Sequence, residues 1–213
     1  MGFSLTSLHI FHIMYFVDIS GIFASPFWVN LLLLVPIVLF FYWRKHPLNF
    51  HIKDLFLPAL FGSTFGFIEA AFVIYLRAAT GLLPGFDGTL ADVKRQAREI
   101  PYNQQMLLEK LPQSLFTVEI IREAGTMIVL LSMAILIGKS HKERIALFLW
   151  TFAVWDIVYY VSLRFTIGWP ESLTAPDVLF LIPEAWFSGV WFPLLVSLLS
   201  ILAILVNLRK SYR

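Results

Sequence analysis

Two carboxylates and one guanidinium lie close together inside a long apolar run of this sequence. Glu119 and Glu123 are four residues apart, and Glu119 and Arg122 are three apart. A helix therefore places all three on one face. The run covers residues 115–138 and is long enough to cross a membrane. Charged side chains at such depth are costly and rare, so they indicate a functional site.

Carboxylates on two further apolar segments are predicted to reach a similar depth. A helix rises about 1.5 Å per residue through a hydrocarbon core of about 30 Å. This rise places Glu69 and Glu119 about 9 Å below the outer surface, Asp156 about 12 Å and Glu123 about 15 Å. We therefore predict a cluster of four acids from three helices, with Arg122 inside it.

The predicted roles follow from side-chain type and height in the membrane. Carboxyl and phenol groups can donate or accept protons, and the predicted catalytic set is Glu69, Glu119, Glu123, Asp156, Arg122 and Tyr160. Asp156, Tyr160 and Arg164 recur every four residues and hence form one stripe of a helix. Residues at the rim or at a similar depth are predicted to bind the substrate, and these are Arg77, Arg164, Asn30 and Tyr75.

The four acids outnumber the single deep arginine, so protons, a metal ion or a cationic ligand must offset the surplus charge. A divalent metal is therefore one candidate cofactor, with the predicted ligands Glu69, Glu119, Glu123, Asp156, His9 and His12. Di-metal sites in helical bundles use Glu-x-x-His pairs, whereas Arg122 stands where that pattern requires histidine. Pairing of the charges to hold helices together is the structural alternative.

Composition assigns these residues to a membrane protein. The chain has 213 residues, of which 59% are hydrophobic and only 14% are charged, against about 25% charged residues in soluble domains. Its mean hydropathy is +0.78. The sequence has no cysteine, which excludes disulfides and thiolate metal sites. Its basic residues are spread over short segments and indicate membrane topology, not a nucleic-acid surface.

The predicted fold is an all-α integral membrane protein that forms a single domain over residues 1–213. Five transmembrane helices are expected at about 26–43, 55–77, 113–138, 144–166 and 186–208. Residues 1–24 form either a sixth span or a surface helix. A long outer loop, 78–112, is expected to contain short helices. Residues 178–182 are too short to span, and they either line the outer mouth or lead into the fifth span.

Short basic segments predict the orientation in the membrane. Residues 44–53, 139–144 and 209–213 fall on one side if the spans alternate, and all three segments contain Lys and Arg. By the positive-inside rule that side is cytoplasmic, so the C-terminus is expected inside. We expect a multi-pass protein of the bacterial inner membrane, which is the plasma membrane of the cell.

Three functions are compatible with this arrangement. The first is an enzyme that acts on a lipophilic substrate by acid–base or metal-assisted chemistry in the outer leaflet half. The alternatives are a non-catalytic subunit of a larger membrane complex and a proton- or cation-coupled transporter. The inner halves of spans two to five have few ionisable groups, which counts against transport. The expected partners are the lipid bilayer, a lipid or lipophilic small molecule and, for a subunit, other membrane proteins, but no nucleic acid.

Overall fold

The computed structural model describes residues 23–79 and 113–208, of which residues 76–79 are described by their backbone only. The protein is mostly helical. Short 3₁₀ helices, Phe27–Leu33 and Ile52–Leu55, precede the first two α-helices. The elements in chain order are α1 (Leu34–Lys45), α2 (Phe56–Ala79), α3 (Gln113–Ile137), α4 (His141–Ile167), β1 (Pro176–Phe180), β2 (Trp186–Gly189) and α5 (Trp191–Val206).

Four helical segments are long and apolar enough to cross a membrane, namely Phe27–Lys45, Ile52–Tyr75, Gln113–Ile137 and His141–Ile167. The remaining helix, α5, is apolar but has only 16 residues. At about 1.5 Å per residue it measures about 24 Å, which is less than a hydrocarbon core of about 30 Å. The segments that were predicted as the first four spans therefore meet the length and composition of spans, whereas the fifth helix is shorter than predicted.

A β-hairpin replaces the predicted start of the fifth span and corrects the expectation of an all-α chain. Strands β1 and β2 pair antiparallel, with Pro176 opposite Gly189. Ser25 extends the pairing, because its backbone exchanges two hydrogen bonds with Phe187 at 2.8 and 2.7 Å. The segment is rich in Val, Phe and Trp, which favour strands. It is too short to span and folds back against the helices instead.

Helix α4 is the centre of the bundle, since it packs against α2, α3 and α5, while α1 packs on α5. Gly62 and Gly66 bring α2 into backbone contact with α4. A Cβ atom at Gly62 would lie 2.8 Å from the carbonyl oxygen of Thr151, and one at Gly66 would lie 2.5 Å from that of Trp155. Small residues four apart allow such close helix contact in membranes.

The two ends of the bundle differ in character. At the basic end, formed by residues 46–55 and 138–144, Lys142 Nζ donates to the carbonyl oxygen of Pro47 at 2.7 Å. An apolar core fills this end, and it includes Trp43, Leu48, Leu147 and Ile204. The hairpin end, formed by residues 168–190 and the start of α1, encloses a cavity.

Two of the three predicted basic segments lie at the basic end, as expected from alternating helices. The third, residues 209–213, lies outside the described residues.

Large apolar side chains cover the outward faces of the helices. Exposed examples on α1, α2, α3 and α5 are Phe41, Phe72, Leu136 and Leu198. A soluble domain rarely exposes so continuous an apolar surface, whereas a lipid-facing surface requires it. The arrangement supports the assignment to membrane proteins made from composition.

Candidate functional site

A cavity of about 390 Å³ lies at the hairpin end, between the helices and the hairpin. This volume falls in the range of small-molecule sites, about 300–1,000 Å³. Most of its wall is apolar or aromatic, with Val73, Phe152, Trp155, Phe180, Trp186 and Phe192 among the lining residues. The polar lining residues are Glu69, Glu119, Arg122, Glu123, Thr126, Asp156, Tyr159, Tyr160 and Asp177. Such a wall suits a lipophilic ligand that carries a few polar atoms.

Arg122 of α3 joins two glutamates in the cavity wall. Its Nη1 atom donates to Glu69 Oε2 of α2, while Nε and Nη2 donate to Glu119 Oε2 at 3.2 and 2.9 Å. The hydroxyl of Thr126 donates to Glu69 Oε1 at 2.9 Å. Both oxygens of Glu69 therefore have donors. Glu69 itself is only 4% exposed. A buried carboxylate needs such partners to remain charged.

Glu123 has a different environment, although it follows Arg122 directly. The backbone N–H of Leu181 donates to Glu123 Oε2 at 2.7 Å. Leu181 directly follows strand β1, so the hairpin fixes the position of this side chain. Glu123 has no other hydrogen-bond partner among the residues that the structure describes. It is half-buried and lies near enough to interact electrostatically with Arg122, Glu119 and Glu69.

Two further carboxyl groups line the cavity on the α4 side. Ser197 Oγ of α5 donates to Asp156 Oδ2 at 2.8 Å, and Tyr160 Oη donates to Asp177 Oδ2 at 2.6 Å. The backbone N–H of Val178 donates to Asp177 Oδ1 at 2.8 Å. Asp156 is 5% exposed and Asp177 is 1% exposed. These hydrogen bonds give both buried acids the polar partners that buried polar groups require.

All residues of the predicted catalytic set line this one cavity: Glu69, Glu119, Glu123, Asp156, Arg122 and Tyr160. They form two groups and not the single cluster that the depth argument predicted. Glu69 and Glu119 share Arg122, whereas Asp156 interacts with Asp177. Their catalytic roles stay predictions.

Three of the four predicted substrate-binding residues lie outside the cavity lining. The amide of Asn30 donates to the carbonyl oxygens of Ala24 and Phe27, both at 2.8 Å, and closes the turn before α1. Arg164 donates to the carbonyl oxygen of Gly168 at the end of α4. Unpaired carbonyls at a helix end are ready acceptors for a nearby arginine. Tyr75 is 70% exposed on the outside of the helical bundle.

Several predicted features lie outside the described residues. These are the side chain of Arg77, both His9 and His12, residues 1–22 and residues 80–112 of the predicted outer loop. Within residues 23–79 and 113–208, no group of three or more His, Asp or Glu side chains is arranged to hold a metal ion. Arg122 occupies the space between Glu69 and Glu119. The metal site that combines the four acids with the two histidines stays a prediction.

The predicted site residues did not include Thr126, Tyr159 or Asp177 of the cavity lining, or Ser197, which donates to Asp156. Asp177 was not among the predicted site residues, although one of the two alternatives for the adjacent residues 178–182 was that they line the outer mouth. Its position at the start of the apolar run Val178–Phe180 was the available signal, since an acid beside a strand-like segment can be buried with it. Ser197 gives no signal, because serine is common in membrane helices, where it bonds its own backbone.

The cavity combines carboxyl groups of two kinds with apolar walls. Glu69 and Glu119 are tied to a guanidinium, whereas Glu123 and Asp156 are held by uncharged donors. Groups of the second kind can exchange a proton with a ligand without breaking an ion pair. No protein-family model, curated protein or solved structure matches this chain, so its function is argued from the geometry of this cavity.

Proposed function

We propose that the protein is an integral membrane enzyme that acts on a lipophilic substrate by acid–base chemistry in this cavity. Glu123 is the proposed general base or acid. The observation that carries the proposal is its setting, in which one backbone N–H from Leu181 orients the carboxyl group in a mostly apolar wall. A fixed carboxyl group of this kind can transfer a proton to or from a bound ligand.

Glu123 is a better candidate than Glu119, to which the depth argument gave the same role. Glu119 accepts two hydrogen bonds from Arg122, so protonating it would break an ion pair. Glu69 has the same restriction. Removing one partner of a buried pair leaves an uncompensated charge, which is strongly unfavourable. The pair of glutamates around Arg122 is therefore proposed to position α3 and not to react.

Asp156 is the proposed partner of Glu123. It lines the same cavity from α4, and Ser197 holds it with an uncharged hydroxyl. Two carboxyl groups on different walls allow one to donate a proton while the other accepts one. The substrate would lie between them, with its apolar part against aromatic residues such as Trp155 and Phe180.

The closed basic end of the bundle supports an enzyme over a transporter. Trp43 and Ile204 are fully buried in an apolar core that fills this end, whereas the polar residues of the cavity lie towards the hairpin. Chemistry from one side needs no path through the bundle. We propose that the hairpin end faces outward and the basic end faces the cytoplasm of a bacterial cell, in line with the positive-inside rule.

Conversion of membrane lipids tests this proposal. Purified protein would be placed in vesicles of total lipid extract from its native membranes, supplied on both sides of the bilayer with a small-molecule extract of its native cells, and followed by mass spectrometry. Wild type should convert a lipophilic species, and Glu123→Gln should slow the conversion by about 10²–10⁴-fold. Glutamine keeps a carbonyl acceptor for Leu181, so the fold should survive.

Glu171→Gln is the matched control, because Glu171 is an exposed carboxylate that does not line the cavity. It should convert the same species at the wild-type rate. The proposal is wrong if wild type leaves every lipophilic species unchanged. It is also wrong if Glu123→Gln retains the full rate.

A further inference from the structure

The guanidinium of Arg122 lines the cavity but already pairs with two glutamates. Nη1 donates to Glu69, and both Nε and Nη2 donate to Glu119. An anionic ligand at this arginine would lie beside the two paired glutamates, and one that took the place of Glu69 would leave a buried carboxylate unpaired.

The charges around the cavity favour the opposite kind of ligand. Among the described lining residues, Arg122 is the one Lys or Arg, whereas the lining acids are Glu69, Glu119, Glu123, Asp156 and Asp177. Like charges repel strongly in a desolvated site, so an anionic group is disfavoured among these acids. A cationic group instead finds carboxylates on both the α3 and the α4 sides.

Aromatic side chains add a second attraction for a cation. Trp155, Tyr159 and Trp186 line the cavity, and the rings of Trp155 and Tyr159 stack with their centroids 6.0 Å apart. Electron-rich ring faces attract ammonium groups, most strongly where water is excluded. The wall therefore combines the two features that recognise an organic cation, carboxylates and ring faces.

We propose that the cavity binds a lipophile with a cationic head group, such as an alkylammonium. The head lies among Glu123, Trp155 and Tyr159, and the chain extends along apolar lining residues of α1 and α5 such as Val35 and Val196. This inference rests on the proposed function in taking the cavity as the substrate site. It names the class of substrate, an organic cation, which the proposed acid–base chemistry leaves open.

Three probes with the same twelve-carbon chain test the charge selectivity. Dodecylamine, dodecanol and dodecanoate carry a positive, zero and negative head at neutral pH, and none needs to react. Each would be titrated against protein in zwitterionic nanodiscs, with empty nanodiscs subtracted. The amine should bind roughly tenfold more tightly than the alcohol, and the alcohol more tightly than the carboxylate. Equal or tighter binding of dodecanol or dodecanoate overturns the proposal.

Variants locate the selectivity in the cavity. Glu123→Gln should weaken amine binding severalfold and leave dodecanol binding unchanged, whereas Glu171→Gln should change neither. In the Glu69→Gln/Glu119→Gln double variant, Arg122 loses both of its carboxylates, so dodecanoate should bind more tightly than it binds to the wild type. An unchanged amine affinity in Glu123→Gln contradicts the inference even if the double variant fails to fold.

The binding assay tests the cationic head group and the conversion assay tests the enzyme, so one claim can be refuted while the other stands. Loss of selectivity for the amine, together with lipid conversion that depends on Glu123, would refute the cationic head group and leave the enzyme intact. Selective amine binding without any lipid conversion would refute the enzyme and leave the cation site.

Discussion

Helices α2 and α3 both pack against α4, but they are held by different means. The α2–α4 contact is the more extensive one, and its centre is backbone-to-backbone contact at Gly62 and Gly66. Among the described elements, α4 is the one helix with which α3 makes a broad contact. Its links to α2 and to the hairpin are polar, from Arg122 to Glu69 and from Leu181 to Glu123.

This difference explains where the cavity lies. Close packing through small residues leaves no space between α2 and α4, whereas polar side chains hold the α3 side open. Apolar burial does not drive helices together in lipid, so close packing and polar contacts must do so. Glu69 connects the two regions, because it follows Gly66 by three residues and reaches Arg122 across the bundle.

The largest expected loss comes from breaking the polar link between α2 and α3. Arg122→Met leaves Glu69 buried without its cation, which should lower the free energy of unfolding by about 3–5 kcal/mol. Reversible unfolding in mixed micelles measures this quantity. The Glu69→Gln/Arg122→Met double variant should recover most of the loss. A single variant that loses less than about 1 kcal/mol would mean that the ion pair is not needed to hold α3.

A smaller loss is expected from the apolar contact of α2. Gly66→Ala places a methyl group against the carbonyl oxygen of Trp155, so the helices must separate, at a cost of about 1–3 kcal/mol. Gly125→Ala is the matched control on α3, since nothing lies within 4 Å of a Cβ there. The same unfolding assay compares both variants. Equal losses for the Gly66 and Gly125 variants would contradict the view that close packing holds α2 whereas polar contacts hold α3.

The link between α4 and the hairpin should contribute less. Tyr160→Phe removes the donor to Asp177 but leaves the N–H of Val178 on the other oxygen. We expect a loss of about 1–2 kcal/mol in the free energy of unfolding. Tyr75→Phe should have no effect, because Tyr75 is exposed on the outside of the helical bundle. Indistinguishable results for the two tyrosines would show that the hairpin is not anchored through Tyr160.

The smallest effect concerns the hydroxyl that completes the environment of Glu69. Thr126→Val removes its hydrogen bond to Glu69 Oε1 while Arg122 stays in place, which should cost about 0.5–1.5 kcal/mol. Thr117→Val removes a hydroxyl that bonds the backbone of its own helix at Gln113. That control should stay near the wild-type value. A larger loss at Thr117 than at Thr126 would contradict the proposed support of Glu69.

Sequence patterns predicted the apolar helices and the acids that meet around the cavity. Helical spacing placed Glu119 and Arg122 together, and depth in the bilayer brought Glu69 near them, because both depend only on the rise of a helix. Depth says nothing about rotation around a helix axis, however. For this reason it could not separate Asp156 from the glutamates, and it could not show that Tyr75 lies on the outer face.

The hairpin could not be derived in the same way. Residues 176–189 are too short and mixed to show a clear period, and their pairing depends on contacts with Ser25 and Glu123 that are distant in sequence. Arg164 lies outside the cavity lining because it donates to a carbonyl at the end of its own helix, and its predicted role in substrate binding stays a prediction. The closeness of α2 and α4 follows from Gly62 and Gly66, whose four-residue spacing was visible in the sequence but was not used.

The most direct test of the account compares two acids four residues apart on α3. Rates of lipid conversion would be measured for Glu123→Gln and Glu119→Gln under identical conditions. Because Glu123, and not Glu119, is proposed to exchange protons, its variant should lose about 10²–10⁴-fold in rate, while Glu119→Gln, which weakens a positioning ion pair, should stay within about tenfold of wild type. A larger loss for Glu119→Gln than for Glu123→Gln would contradict the assignment of Glu123 as the reacting carboxyl group.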